Sequence, residues 1–476
     1  MDDVLARLEQ LRGDDLPVHS GRTLAYVYDS GMPELDRLAA AAVGAFAATN
    51  GLDPTAFPSL LRMENDLVAF GLRLLTAPEG AVGTVTSGGT ESVLLAVQGA
   101  RDAFPHVSRP SMVVPDTVHA AFHKAAHYFG VEARVVPTGS DFRADVATTA
   151  AACDESTVLV VGSAPSYAHG VVDPITDLAA LAAERGIRCH VDACIGGWVL
   201  PYAARLGRAV PAWDFAVPGV TSISVDLHKY GYAPKGASLL LHRDSAVRRP
   251  QLFAWADWPG YTMLNSTMQS TRSGGPVAGA WAVLQQVGDA GYERLSDQAL
   301  RATDAVVAAV EAQPALRVVA APDSTLVAFT TDETCDPFTL VDEMTERGWY
   351  VQPQMRFRDQ PATVHVSVSA ATLAHVEGFT AALAESVAAA VQAGPVQVDP
   401  EVAAVVGLLD PATLDDAAFD GLLAAAGLVS ESADADGLSL PTRRAEINAL
   451  LDLAAPPLRE AVMRAFLDRL SRPTPP

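Results

Sequence analysis

Long apolar runs are missing from this sequence. The longest, at residues 38–48, is about 11 residues, where roughly 20 are needed to cross a bilayer, so no membrane-spanning helix is expected. Basic residues are scarce: 33 Lys and Arg stand against 56 Asp and Glu, a formal net charge of −23. A surface of that sign repels phosphate backbones, which argues against nucleic acid as a partner but leaves room for local pockets that hold small anions. Cysteine is also scarce. Cys153, Cys189, Cys194 and Cys335 show no CxxC spacing, so neither a disulfide frame nor a zinc site is expected, and reduced thiols fit a cytoplasmic protein. The opening MDDVLARLEQ is acidic and amphipathic and does not read as a secretory signal. Charged residues make up 19% and hydrophobic ones 49%, which excludes wholesale disorder and is enough to bury a sizeable core. A chain of 476 residues implies two or three packed units, or one large α/β domain with appendages.

What is present is an alternation of short apolar runs with helical stretches. Residues 34–76 read as two helices, broken by Asn50, Gly51, Asp53, Pro54 and Pro58. TVTSGGTES (84–92) is a turn that opens a helix. Strands are expected at SMVVP (111–115), ARVVP (133–137), TVLVVGS (157–163), IRCHVDA (187–193), SISVD (222–226) and ASLLLH (237–242), with helices at 117–130 and 174–185. That order predicts a mostly parallel sheet with helices on both faces. A long helical stretch begins near Pro276. Beyond it LRVVA, TLVAFT, WYVQP and TVHVSVS, with helices at 337–347 and 371–393, form a smaller α/β unit. The expected division is an N-terminal helical segment (1–60), a large cofactor-binding domain (61–275), a small C-terminal α/β domain (276–393) and a helical extension (394–476). TRRAEINALLDLA and LREAVMRAFLDRL read as its terminal amphipathic helices.

Three segments carry chemistry. In Thr86-Ser87-Gly88-Gly89-Thr90-Glu91-Ser92, glycines before a helix expose backbone N–H groups where the helix dipole is positive, and hydroxyls complete a phosphate cradle. Taken alone the segment reads more readily as an ordinary Ser/Thr helix cap. His190-Val191-Asp192-Ala193 puts a carboxylate at the end of an apolar strand, where α/β folds bind ligands; alone it reads as a loop or cap aspartate. SISVDLHKYGY ends a strand in His228-Lys229. A lysine held there can lose its proton and act as a nucleophile toward an aldehyde, although an isolated His-Lys pair is ordinarily a surface feature. In this order the three make a site for pyridoxal phosphate: phosphate to the helix N-terminus, ring nitrogen to Asp192, aldehyde to Lys229. His119, His123 and His127 fall at i, i+4, i+8, a spacing that can bind metal, but no Glu or Cys completes the set and no metal is expected.

TSGGTESVLLAVQGARD, VHAAFHKAAHYFG, GSAPSYAHGVVDPITDLAALA, HVDACIGGWVLP and SISVDLHKYGYAPKGASLLLHRD resemble, in order, the group II pyridoxal-phosphate decarboxylases, most closely their sphingosine-1-phosphate lyase branch. FPSLLRMENDLV and STRSGGPVAGAWA match more loosely, and the resemblance spans roughly residues 20–390. It implies an α/β, fold-type-I pyridoxal-phosphate-dependent transferase-like fold. It further implies that Gly88, Gly89 and Thr90 hold the cofactor phosphate with His228 on the far side, that His119 stacks on the ring, that Asp192 pairs with the ring nitrogen, and that Ala193 packs against the ring. Ser163 and His169 would approach cofactor or substrate, Lys235 the substrate phosphate, and Tyr261 is counted on the substrate side. Thr271 and Arg272 would reach the cofactor phosphate of the other subunit, which implies a homodimer with shared sites.

The chain departs from that branch at Gly21-Arg22-Thr23-Leu24-Ala25, at His123 where the lyases have an aspartate, and at Asp53, where they have a histidine that helps bind substrate phosphate. An aspartate facing a phosphate is repulsive. The expected reaction is therefore decarboxylation of an amino acid. The alternatives are Cα–Cβ cleavage of a phosphosphingoid-like amino alcohol and a degenerate paralogue kept as a scaffold.

Overall fold

Strands β1 (Val82–Thr86), β2 (Ser111–Pro115), β3 (Glu132–Val136), β4 (Thr157–Ser163), β5 (Arg188–Asp192), β6 (Ser222–Asp226) and β7 (Ser238–His242) form one sheet in the order β1-β7-β6-β5-β4-β2-β3. The computed structural model describes residues 2–398, 400–414, 416–425 and 443–473. Neighbours from β3 through β6 pair parallel, and β7 alone is reversed, antiparallel to both β1 and β6. Residues of β2, β4, β6 and β7 are buried throughout. This is why these strands read as unbroken apolar runs: both faces are covered. The pleat divides them, with Val113 and Val160 in one buried cluster and Met112, Val114, Leu159 and Val161 in the other.

Helices Pro33–Phe46 and Pro58–Leu74 each begin on a proline, which is preset for a first turn and removes no hydrogen bond there. The second packs on β1 and β7, Gly89–Ala103 on β6 and β7, and Ile175–Glu184 on β4 and β5. The helical stretch expected from Pro276 is Gly275–Glu311, broken where Gly288 takes φ 60°. A short antiparallel ladder of β8 (Phe253–Trp255) and β9 (Met263–Asn265) precedes it.

The described residues form two units. One comprises Met1–Val306, Ala320–Val327 and Ser367–Val376, and the other Val307–Val319, Ala328–Val366 and Glu377–Pro476. Strands β10 (Leu316–Val318), β11 (Leu326–Thr331), β12 (Gln352–Gln354) and β13 (Thr363–Ser367) make a four-stranded sheet ordered β10-β11-β13-β12. In the second unit the Asp342 carboxylate accepts the N–H groups of Arg444 and Ala445 at 2.8 and 2.9 Å, a negative charge at the N-terminus of helix Ala445–Leu453. Pro456–Leu470 is the last helix. Residues 426–442 of the expected helical extension lie outside the described residues.

One buried side chain ties down the loop after β4. Asp173 is fully buried; its Oδ1 accepts from Ala144 N at 2.8 Å and its Oδ2 from Ser163 N at 2.7 Å. Its own N–H returns to Ser163 O at 2.9 Å. An asparagine there must turn an NH₂ toward one of those donors. Asp173→Asn should therefore lower unfolding free energy by about 1–3 kcal/mol, readable by urea denaturation.

Candidate active site

β1 ends at Thr86, and Ser87 and Gly88 lead into helix Gly89–Ala103. Glu91 folds back over this turn, accepting from Ser87 N at 2.6 Å and from Met268 N at 2.8 Å. The first-turn N–H groups of Gly89 and Thr90 have no intrahelical acceptor and point out at the positive end of the dipole. The glycines serve close approach. Gly88 has an extended φ of 163° that any residue adopts, but a Cβ at Gly89 would lie 2.7 Å from Cys194 Sγ and 2.9 Å from Asp226 Oδ2, and one at Gly88 3.2 Å from His228 Cε1.

β5 and β6 end beside this turn and deliver two carboxylates. Asp192 Oδ1 accepts from Cys194 N at 3.1 Å and from Ser224 Oγ at 3.2 Å. Asp226, three residues before Lys229, was not singled out by sequence; its Oδ2 lies 3.0 Å from Lys229 Nζ and 3.8 Å from His228 Nε2. Burial alone would push the Lys229 amine down, but Asp226, helped by Tyr28, holds it well above the ordinary lysine value. Burial likewise works to raise the Asp226 carboxyl, and Lys229 and His228 bring it below the ordinary value.

Gly88, Gly89, Thr90, His119, Ser163, Asp192, His228 and Lys229 line a single cavity of about 360 Å³, together with Asp226 and Tyr167. The His119 ring stands edge-on to Tyr167 at 6.3 Å, its Nδ1 accepting from Ala121 N at 3.2 Å. Tyr167 is a second residue that sequence did not single out, and burial raises its phenol. Tyr28 is a third: it packs edge-on to Tyr230 at 5.0 Å and its phenol is also raised by burial. The donor set fits pyridoxal phosphate. Helix-end N–H groups, at a turn where Gly89 leaves no room for a Cβ, suit the phosphate, Lys229 the aldehyde, and an Asp192 whose Oδ2 takes no hydrogen bond from the described residues suits the ring nitrogen.

The other expected residues stand elsewhere. Ala193 is fully buried in the core and is not on the cavity wall; its N–H donates to Ser224 O at 3.0 Å. His169 is buried and stacks on Phe142 at 4.1 Å. Lys235 is solvent-exposed as a residue, yet its ammonium is drawn inward, donating to Tyr26 O at 3.0 Å and His228 O at 3.2 Å and lying 5.1 Å over the Tyr28 ring. Tyr261 is exposed beside Trp258, and Thr271 is exposed on the segment that follows β9. Asp53 and Arg272 line a different cavity of about 220 Å³, with Arg272 paired to Glu64 at 2.5 Å. Asp53 closes a turn, its Oδ1 accepting from Thr55 N at 2.8 Å and Thr55 Oγ1 at 2.6 Å. Within one chain, then, Asp53, His169, Lys235, Tyr261, Thr271 and Arg272 do not line the cavity of Lys229.

Two outcomes follow from the Asp226–Lys229 pair. Lys229→Met strands a buried carboxylate, so the coenzyme-free protein should lose about 3–5 kcal/mol of stability, and adding Asp226→Asn should restore most of it; a double mutant no more stable than Lys229→Met would contradict the pairing. Borohydride treatment of the coenzyme-loaded protein followed by peptide mapping should label Lys229 and leave Lys235 unmodified.

A family model described as the pyridoxal-dependent decarboxylase conserved domain matches residues 26–332. A second, described as a C-terminal putative HTH domain of pyridoxal-dependent enzymes, matches residues 400–469. The chain is 38% identical over 395 residues to sphingosine-1-phosphate lyase of Arabidopsis thaliana, covering 81% of this chain and 72% of that one. It is 32% identical over 337 residues to a probable L-tyrosine/L-aspartate decarboxylase of Methanothermobacter thermautotrophicus, covering 70% and 89%. Among solved structures, the sphingosine-1-phosphate lyase of Burkholderia pseudomallei superposes with a TM-score of 0.77 at 36% identity, covering 82% and 91%. Cradle, carboxylate and lysine thus sit in a fold shared with these proteins, and the chain belongs to the pyridoxal-dependent decarboxylase family as a pyridoxal-phosphate-dependent lyase.

Proposed function

We propose that the enzyme cleaves the Cα–Cβ bond of an amino alcohol that carries a phosphate. The observation that carries this reading is the inward-drawn ammonium of Lys235 beside Tyr28, a cation placed next to the lysine that would hold the coenzyme. Asp53 does not cancel that charge within its own chain, because its carboxylate is engaged by Thr55; the repulsion expected from its sequence position is absent there. The relatives named as sphingosine-1-phosphate lyases, at 33–38% identity, support the same reading. A second reading, decarboxylation of an amino acid, keeps the support of the archaeal relative named as a probable L-tyrosine/L-aspartate decarboxylase.

When bound, pyridoxal phosphate supplies an electron sink to the carbon bearing the substrate amine. The protein would provide the rest. Gly89 and Thr90 would hold the phosphate through backbone N–H groups, and Lys229 would carry the coenzyme. His119 would cover the ring, and Asp192 Oδ2 would accept a hydrogen bond from the protonated ring nitrogen. Tyr167, on the cavity wall, keeps its phenolic proton because burial raises it, which suits it to donate a hydrogen bond to a substrate oxygen. Thr271 and Arg272, which lie away from the cavity of their own chain, would serve the site of a second subunit in a homodimer.

Burial, reinforced by Lys229 and partly offset by Asp226, lowers the Lys235 amine to about 8. Lys235 is therefore cationic below that pH and neutral above it. KM for a phosphosphingoid base should be low below pH 8 and rise as pH passes through it. Lys235→Met should raise KM about tenfold or more with a smaller effect on kcat, and should flatten the pH dependence of KM. Aldehyde released from that substrate, with no carbon dioxide from a panel of amino acids, is the expected product pattern; the reverse would establish the decarboxylase reading. For the dimer, mixing inactive Lys229→Ala with inactive Arg272→Ala should restore part of the activity through hybrid dimers, and no recovery would contradict a role of Arg272 across subunits.

A further inference from the structure

Behind Asp192 runs a row of buried polar side chains with no part in the chemistry described above. β5 and β6 are parallel neighbours in the register His190↔Ser222 and Asp192↔Ser224. Side chains two residues apart on a strand share a face, so these four lie together. His190 and Ser224 are 0% exposed, Ser222 5% and Asp192 9%. Ser222 Oγ lies 2.8 Å from His190 Nδ1, His190 Nε2 lies 3.2 Å from Ser224 Oγ, and Ser224 Oγ lies 3.2 Å from Asp192 Oδ1. The Cys194 thiol also donates to Ser224 Oγ at 3.4 Å, and the Cys194 N–H donates to Asp192 Oδ1 at 3.1 Å.

Proton counting gives this row one direction. Each hydroxyl has a single proton, and a neutral imidazole has one donor and one acceptor. Burial pulls His190 down to about 4, with Asp192 acting weakly the other way, so the ring is neutral near pH 7. A carboxylate only accepts, so Ser224 donates its proton to Asp192 Oδ1. Its oxygen then accepts from His190, which places the imidazole proton on Nε2 and leaves Nδ1 to accept from Ser222. The other tautomer would turn a Ser224 lone pair against the carboxylate.

We propose that Ser224 and His190 are positioning residues for the coenzyme, a one-way hydrogen-bonded row that pins Asp192 by Oδ1 and so presents Oδ2 to the ring nitrogen. The proposal rests on the reading that Asp192 pairs with that nitrogen. Removing the Ser224 hydroxyl takes one of the two donors from Oδ1 and lets the carboxylate turn about its last torsion. The phosphate cradle and Lys229 are untouched, so the loss is confined to the ring nitrogen.

The test measures the affinity of the coenzyme-free protein for pyridoxal phosphate and for its 1-deaza analogue, in which a C–H replaces the ring nitrogen. Wild type, Ser224→Ala, Ser224→Thr and Asp192→Asn are compared by fluorescence titration. Ser224→Ala should weaken pyridoxal phosphate about tenfold and leave the analogue unchanged, while Ser224→Thr, which keeps the hydroxyl, should bind like wild type. Equal weakening of both ligands by Ser224→Ala, while Asp192→Asn weakens pyridoxal phosphate and spares the analogue, would overturn the row and leave the Asp192 reading standing. If Asp192→Asn weakens both ligands equally, or neither, the Asp192 reading falls and takes the row with it. A measurement on the unaltered holoenzyme covers the case in which Ser224→Ala does not fold: ¹⁵N labelling of histidine should show His190 protonated at Nε2, and protonation at Nδ1 would overturn the proposal.

Discussion

The parallel register of β5 and β6 is the constraint on which the site depends. Because Asp192 lies opposite Ser224, and because side chains alternate along a strand, Asp192, Ser224 and Asp226 emerge on one face at the strand ends. One residue of slip between the two strands would put Asp192 on one face and Ser224 and Asp226 on the other. The reversal of β7 against β6 returns the chain beside them, so that Ala237 N donates to His228 Nδ1 at 3.3 Å and the His228-Lys229 turn is held from both sides. The helix that starts at Gly89 then closes over Asp226 and Cys194 with no room for a side chain.

From that register follows an electrostatic order. Two carboxylates at neighbouring strand ends need different partners. Asp226 is matched by Lys229 within the protein, whereas Asp192 is satisfied on one oxygen only and offers the other to the cavity. A cofactor with a protonatable ring nitrogen, an anionic tail and an aldehyde completes this arrangement: one open acceptor, one helix N-terminus and one lysine. Lys235, just outside, adds a second cation whose charge is sensitive to pH.

Most of the sheet was legible in the sequence because strands buried on both faces are apolar throughout; TVLVVGS is β4 without adjustment. The β8–β9 ladder was not, since every residue of β8 is exposed and no alternation marks it. Gly288 breaks the long helix with nothing in the apolar pattern to set it apart. In the site, Gly88-Gly89-Thr90, Asp192 and His228-Lys229 could be read because each is a local signal at a strand or helix end. Asp226, Ser224, Tyr28 and Tyr167 could not, because their roles come from strand register and from segments far apart in the chain. Asp53 shows the opposite case. Its place in the sequence suggested a contact with phosphate, while Asp-Pro-Thr is itself a turn signal, and within one chain its carboxylate is held in that turn by Thr55.

A crystal structure of the coenzyme-loaded enzyme tests the central claim most directly. The account predicts continuous density from Lys229 Nζ to the coenzyme, the phosphate on the N–H groups of Gly89 and Thr90, and Asp192 Oδ2 within about 3 Å of the ring nitrogen. A covalent link to Lys235, or a ring nitrogen turned toward Asp226 in place of Asp192, would contradict it.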